Sequence, residues 1–141
     1  MSKAVMNILL VEDDDVAAEA VVRSIHKHDL NFPVIVAEDG LEALDVLRDK
    51  ISDKKINRPY LILLDLNMPR MNGFEFLQEI RTDNNLKDSV VFVLTTSDAD
   101  SDKTRAYHEN IAGYMVKSAV GPQFSKLAKL LNSYHDSVNL P

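Results

Sequence analysis

The chain contains no cysteine. That excludes a disulfide scaffold, a thiolate zinc site and a cysteine nucleophile. Long hydrophobic runs are also missing. A bilayer-spanning helix needs ~20 apolar residues and a signal peptide needs an extended apolar region. Here the first apolar stretch, Ile8 to Val11, runs straight into Glu12, Asp13, Asp14 and Asp15. Basic charge is in deficit, with a net charge of −6. Affinity for duplex nucleic acid comes largely from Lys and Arg neutralising phosphates, so a nucleic-acid partner is not expected. Internal repeats and low-complexity segments are absent. These absences point to a cytoplasmic protein with neither membrane nor nucleic acid as partner. What is present is 141 residues, 45% hydrophobic and 27% charged. That suits one ordinary domain, long enough to bury a core without covalent staples.

Short apolar runs alternate with longer amphipathic stretches. The runs are Ile8 to Val11, Val34 to Ala37, Leu61 to Leu64, Val90 to Leu94 and Gly113 to Val116. They are rich in Val, Ile and Leu and barely alternate with polar residues, as strands buried on both faces do. Between them the pattern becomes helical. Asp14 or Asp15 is placed to cap a first helix to about His28, with Ala17, Ala20, Val21 and Ile25 on one face. A second helix, from Gly40 to Asp49, repeats Leu41, Leu44 and Leu47. Asn72 is placed to cap Gly73 to Arg81, which would bury Phe74, Phe76, Leu77 and Ile80. Asp100 or Ser101 would cap a fourth helix to about Asn110, and Gly121 and Pro122 suit the start of a fifth. That helix would bury Phe124, Leu127, Ala128 and Leu131. Five strands alternating with five helices predict an α/β fold, a doubly wound parallel sheet. The polar stretch from Asp49 to Pro59 reads as a long surface loop. The domain is expected over residues 1–135, with 136–141 as a C-terminal tail.

In open α/β sheets, ligands bind beyond the carboxyl ends of the strands. Glu12 and Asp13 follow the first apolar run, Asp65 the third, Thr95 and Thr96 the fourth, and Lys117 the fifth. Crowded carboxylates must take up a proton or a cation. A hard divalent ion such as Mg²⁺ uses one or two carboxylates, waters and a phosphate oxygen.

Four segments in this order resemble the receiver domain of two-component response regulators: Leu10-Val11-Glu12-Asp13-Asp14, Leu64 to Gly73, Val93 to Ser97 and Gly113 to Lys117. The long middle loop and the Asn-Leu-Pro ending are similar to regulators paired with phytochrome-type histidine kinases. The resemblance implies a flavodoxin-like sheet in strand order 2-1-3-4-5. It implies Asp65 as phosphoacceptor, with Thr95 and Lys117 contacting the phosphoryl group. It further implies a divalent cation (Mg²⁺, or Mn²⁺ or Ca²⁺) on Asp13, Asp65 and the backbone carbonyl of Asn67, with Glu12 acting through a metal-bound water. Thr95 and Tyr114 would form the conformational switch, and Asn67 and Ser97 would tune hydrolysis. The implied partners are a sensor histidine kinase, in particular a bacteriophytochrome, and a second copy of the chain through the last helix and strand. The only catalysis expected is the domain's own phosphorylation and dephosphorylation, and no output module is expected.

One residue departs from the family pattern. Ser118 follows Lys117 where the family usually has proline. A cis bond to a non-proline residue costs about 2.5–4 kcal/mol, which leaves the reach of Lys117 open. Competing readings also remain. An aspartate-nucleophile phosphatase would want a second acid where Asn67 stands. A flavin carrier would not place Glu12, Asp13 and Asp14 against a phosphate. A degenerate receiver acting only as a binding module would not need the full acid, Thr and Lys set. His26, His28, His108 and His135 read as ordinary surface residues.

Overall fold

A computed structural model describes residues 5–27, 31–120 and 124–141. The strands are β1 (Asn7–Val11), β2 (Val34–Ala37), β3 (Tyr60–Leu64), β4 (Val90–Thr95) and β5 (Gly113–Val116). The helices are α1 (Asp15–Lys27), α2 (Gly40–Leu47), α3 (Gly73–Thr82), α4 (Asp100–His108) and α5 (Ser125–Ser137). The sheet is parallel throughout and ordered β2-β1-β3-β4-β5, the flavodoxin-like arrangement that the sequence implied.

Alternate residues of each central strand feed two separate cores. Leu9, Val11, Ile62, Leu64, Val91 and Val93 face the layer built by α2, α3 and α4. Ile8, Leu10, Leu61, Leu63, Phe92 and Leu94 face the layer built by α1 and α5. A strand with a core on each side has no polar face, which is why β1 and β3 read as unbroken apolar runs. The edge strands β2 and β5 are half-buried apart from Ala37.

Local chemistry sets most helix starts. Asp14 accepts hydrogen bonds from the amides of Val16 and Ala17 and so caps α1. Asn72 and Glu75 form a reciprocal capping box at α3. Several inner faces differ from the sequence reading. In α1 the fully buried residues are Ala18, Val21, Ser24 and Ile25, while Ala17 and Ala20 stay half-buried. In α2 the inner residues are Ala43, Leu44 and Val46, and Leu41 is exposed. Ala99, not Asp100 or Ser101, precedes the first turn of α4, and it offers no side-chain cap. α4 ends at His108, because Asn110 turns left-handed with φ 59. The proposed start of α5 at Gly121 and Pro122, and the end of α1 at His28, lie outside the described residues.

The loop from Asp49 to Pro59 is more than a solvated excursion. Ile51 and Ile56 pack on the first core, and Lys54 donates to the Val36 carbonyl of edge strand β2 and to Glu42. At the other end, α5 continues across residue 135, and Leu140 packs back onto the second core. His135 is half-buried, edge-on to Phe32 at a centroid distance of 5.1 Å.

Candidate functional site

Parallel register brings the polar residues that end the strands to one rim. Val11 pairs with Leu64, and beyond them the Asp65 amide still donates to the Val11 carbonyl at 3.0 Å. The Glu12 amide likewise continues the ladder to Ala37 at 2.9 Å. Thr95 pairs with Val116, so Lys117 emerges one residue beyond it. Carboxylate oxygens of Glu12, Asp13 and Asp65 all lie within 4.8 Å of one another. Lys117 forms a close ion pair with Glu12, and its ammonium is 3.8 Å from Asp65 Oδ2.

The site is dry at its floor and wet at its mouth. Glu12, Asp65 and Thr95 are buried, whereas Asp13 and Asn67 are exposed. Burial first, and then the neighbouring Asp65 carboxyl, push the Glu12 carboxyl up from 4.5 to about 7, with Lys117 partly opposing both. Glu12 Oε2 and Thr95 Oγ1 are buried with no hydrogen-bond partner. Leaving a buried polar atom unpaired costs about 1–3 kcal/mol, and both of these face that cost in the same site. An all-oxygen set of three acids with an orphaned carboxylate oxygen suits a hard divalent cation.

The second part of the site lies between β4 and α4. Tyr114 is half-buried, and its hydroxyl donates to the Ser97 carbonyl at 3.0 Å. Ser97 Oγ donates to Asp102 of α4 at 2.6 Å. Thr96, which followed the same apolar run, is exposed and stands apart from the acids. Lys117 begins a short 3₁₀ turn, Lys117–Ala119. Among the described residues the cis peptide bond is Arg58–Pro59, so the Lys117–Ser118 bond is trans.

Sequence reasoning missed one feature of the site. Asp39 is buried, caps α2 through the Glu42 amide at 2.9 Å, and forms an ion pair with Arg70. Arg70 lies in the segment that leads from Asp65 to α3. The two residues are 31 positions apart in the sequence, and nothing local to either one announces the pair. Gly73, which the sequence places at the end of the segment after Asp65, has a plain steric reason. A Cβ there would sit 2.6 Å from the Asp65 carbonyl oxygen and 2.8 Å from Leu66 Cα, so only glycine permits the approach.

Residues 8–129 match the response regulator receiver domain family. The chain is a response regulator receiver. Its own chemistry is phosphorylation on an aspartate and loss of that phosphoryl group; it is not an enzyme that turns over other substrates. The receiver is 34% identical over 135 residues to response regulator Rcp1 of Synechocystis, covering 95% of this chain and 92% of that one. It is 36% identical over 110 residues to the probable methanogenesis regulatory protein FilR2 of Methanothrix harundinacea, covering 78% and 70% of the two chains. Its fold is similar to the crystal structure of the phosphorylated cyanobacterial phytochrome response regulator RcpA. That comparison gives a TM-score of 0.85 at 34% identity, covering 98% of this chain and 99% of that one. The Mn²⁺-bound form of Rcp1 has a TM-score of 0.82 at 34% identity, with 96% and 98% covered. A divalent cation is therefore the cofactor to which the receiver's acidic cluster is suited. No described helix is long and apolar enough to cross a membrane.

Proposed function

We propose that Asp65 is the residue that takes the phosphoryl group, passed from a sensor histidine kinase of the phytochrome type. The observation that carries this is the meeting of Asp65 with two more carboxylates and one ammonium at the buried end of β3. An Oδ–P bond forms on Asp65 as the P–N bond to the donor imidazole breaks, and the imidazole leaves with a proton. Lys117, already within 3.8 Å of Asp65, pairs with a phosphoryl oxygen as a point charge. Asp13, Asp65 and the Asn67 backbone carbonyl would hold a divalent cation, with Glu12 acting through an intervening water. The cation's contribution is to spread charge off the transferring group.

Thr95 Oγ1, buried and unpaired, is supplied with a partner when a phosphoryl oxygen arrives. Thr95 and Tyr114 then bias the surface of α4 and β5 toward one of two arrangements. Asn67 and Ser97 set water access and hence the lifetime of the acyl phosphate. Neither is an acid or a base, and Ser97 Oγ is engaged by Asp102. The phytochrome link is supported by the similarity to the phytochrome response regulator RcpA and to the bacteriophytochrome response regulator RtBRR, which is 30% identical with a TM-score of 0.76. The domain is taken as residues 1–135 with 136–141 continuing from it, acting in the cytoplasm and pairing with a second copy through α5 and β5.

Incubation with acetyl phosphate and Mg²⁺ followed by intact-mass measurement tests the assignment. One added phosphoryl group is expected on the native chain and none on Asp65→Asn. An unmodified native protein under several small donors, or an equally modified variant, overturns it.

A further inference from the structure

The segment from Leu66 to Asn72 lies between the proposed phosphoacceptor and α3. Its base is closed by the Gly73 amide donating to the Leu66 carbonyl at 2.9 Å, and Met71 donates back to Pro69 at 2.7 Å. Two further contacts tie it to the start of α2. The Gly40 amide donates to the Met71 carbonyl at 3.1 Å, and Arg70 forms an ion pair with Asp39. The pair is lopsided. Asp39's side chain is 3% exposed and Arg70's is 61% exposed. A pair with so exposed a cation is worth little to global stability, and without Arg70 the Asp39 carboxylate keeps the Glu42 amide as a partner.

The backbone at Arg70 adds a second reason to ask what its side chain does. Arg70 has φ 62, in the left-handed region, where glycine or asparagine is the low-energy choice. An arginine at such a position is disfavoured by its backbone, and its side chain makes the ion pair with Asp39.

We propose that Asp39 and Arg70 are positioning residues for the phosphorylation site: their ion pair fixes the segment from Leu66 to Asn72 against α2, and so holds the Asn67 backbone carbonyl where the divalent cation needs a ligand. The inference rests on the reading of Asn67 as a ligand. Neither residue touches the phosphoryl group, and both act through backbone geometry. Outer partners of this kind commonly change metal affinity by about 10–100-fold when removed.

The test compares Arg70→Gly, Arg70→Lys, Asp39→Asn and the Arg70→Gly/Asp39→Asn double variant. Glycine relieves the left-handed backbone, and asparagine retains the helix cap, so the variants are chosen to fold. Three quantities are measured: the Mg²⁺ dissociation constant by calorimetry, amide hydrogen exchange across residues 66–72, and the melting temperature. Arg70→Gly and Asp39→Asn are each expected to weaken Mg²⁺ binding about tenfold and to speed exchange in residues 66–72, with the melting temperature little changed. The double variant is expected to be no weaker than either single one, because both changes break the same contact. Arg70→Lys should recover part of the affinity. Wild-type Mg²⁺ affinity in Arg70→Gly overturns the proposal, as does weakening matched by a fall in melting temperature and by faster exchange throughout the fold. Asp13→Ala separates the two readings. If native protein binds Mg²⁺ and Asp13→Ala does not, the site stands whatever Arg70 does. If native protein fails to bind, the reading of the site itself falls.

Discussion

Burial takes Glu12 out of the range of an ordinary carboxylate, and Asp65 beside it raises its pKa further, to about 7. The consequence for stability has a definite sign. Between 4.5, its ordinary value, and about 7, the folded chain keeps a proton on Glu12 that the unfolded chain has already lost. Stability from this group is therefore full below 4.5, declines as pH rises to about 7, and is flat above that. In metal-free buffer, the melting temperature of Glu12→Gln minus that of the native protein should rise across this window; a difference that stays constant would show that Glu12 titrates normally. Glu12, Asp13, Asp65, Thr95 and Lys117 were legible because each lies within two residues of the end of an apolar run, and parallel register carries residues in that position to one rim. Asp39 and Arg70 were not. Their partnership depends on a left-handed turn and on contact between two loops, and neither leaves a periodic or compositional trace.

Helix starts show which elements the local sequence controls. α3 has a complete capping box, whereas α4 begins after Ala99 with no side-chain cap and buries only Ala106. The periodicity that located α3 was strong because it has five buried positions, from Gly73 to Ile80. α4 offered no such stripe, so its cap was assigned to the nearest polar residues, Asp100 and Ser101. The inner faces of α1 and α2 are legible only in part, at Val21, Ile25, Leu44 and Leu47, for a related reason. Small residues such as Ala18 and Ala43 carry little hydrophobic signal, yet both are buried. N-cap substitutions are typically worth about 1 kcal/mol, which gives a pair of opposite expectations. Asn72→Ala should destabilise the receiver by about 1 kcal/mol and Ala99→Ser should stabilise it by about 0.5–1 kcal/mol in urea unfolding. Equal and null effects would mean that the two helix starts are satisfied by other groups, such as the Ser97–Asp102 bond.

Among the described strands, β5 is the least buried. All four residues of β5 are half-buried, and neighbouring α5 carries half-buried Leu130 and Tyr134. Some of that apolar arc is already in use by the chain's own core. Tyr134 stands edge-on to Phe92 at 5.2 Å, and Leu130 packs on the second core, so neither is a free surface residue. A half-covered strand edge beside a half-covered helix is nonetheless a surface that a second copy would enclose by a two-fold, self-complementary contact. Light scattering over a range of concentrations should give about twice the chain mass of 15.8 kDa for the native receiver and about one chain mass for Leu130→Asp. Because Leu130 also supports the core, the variant's circular dichroism must match the native spectrum for its dissociation to count. A native receiver that stays at 15.8 kDa at every concentration, or a folded Leu130→Asp that remains dimeric, would remove α5 from the interface.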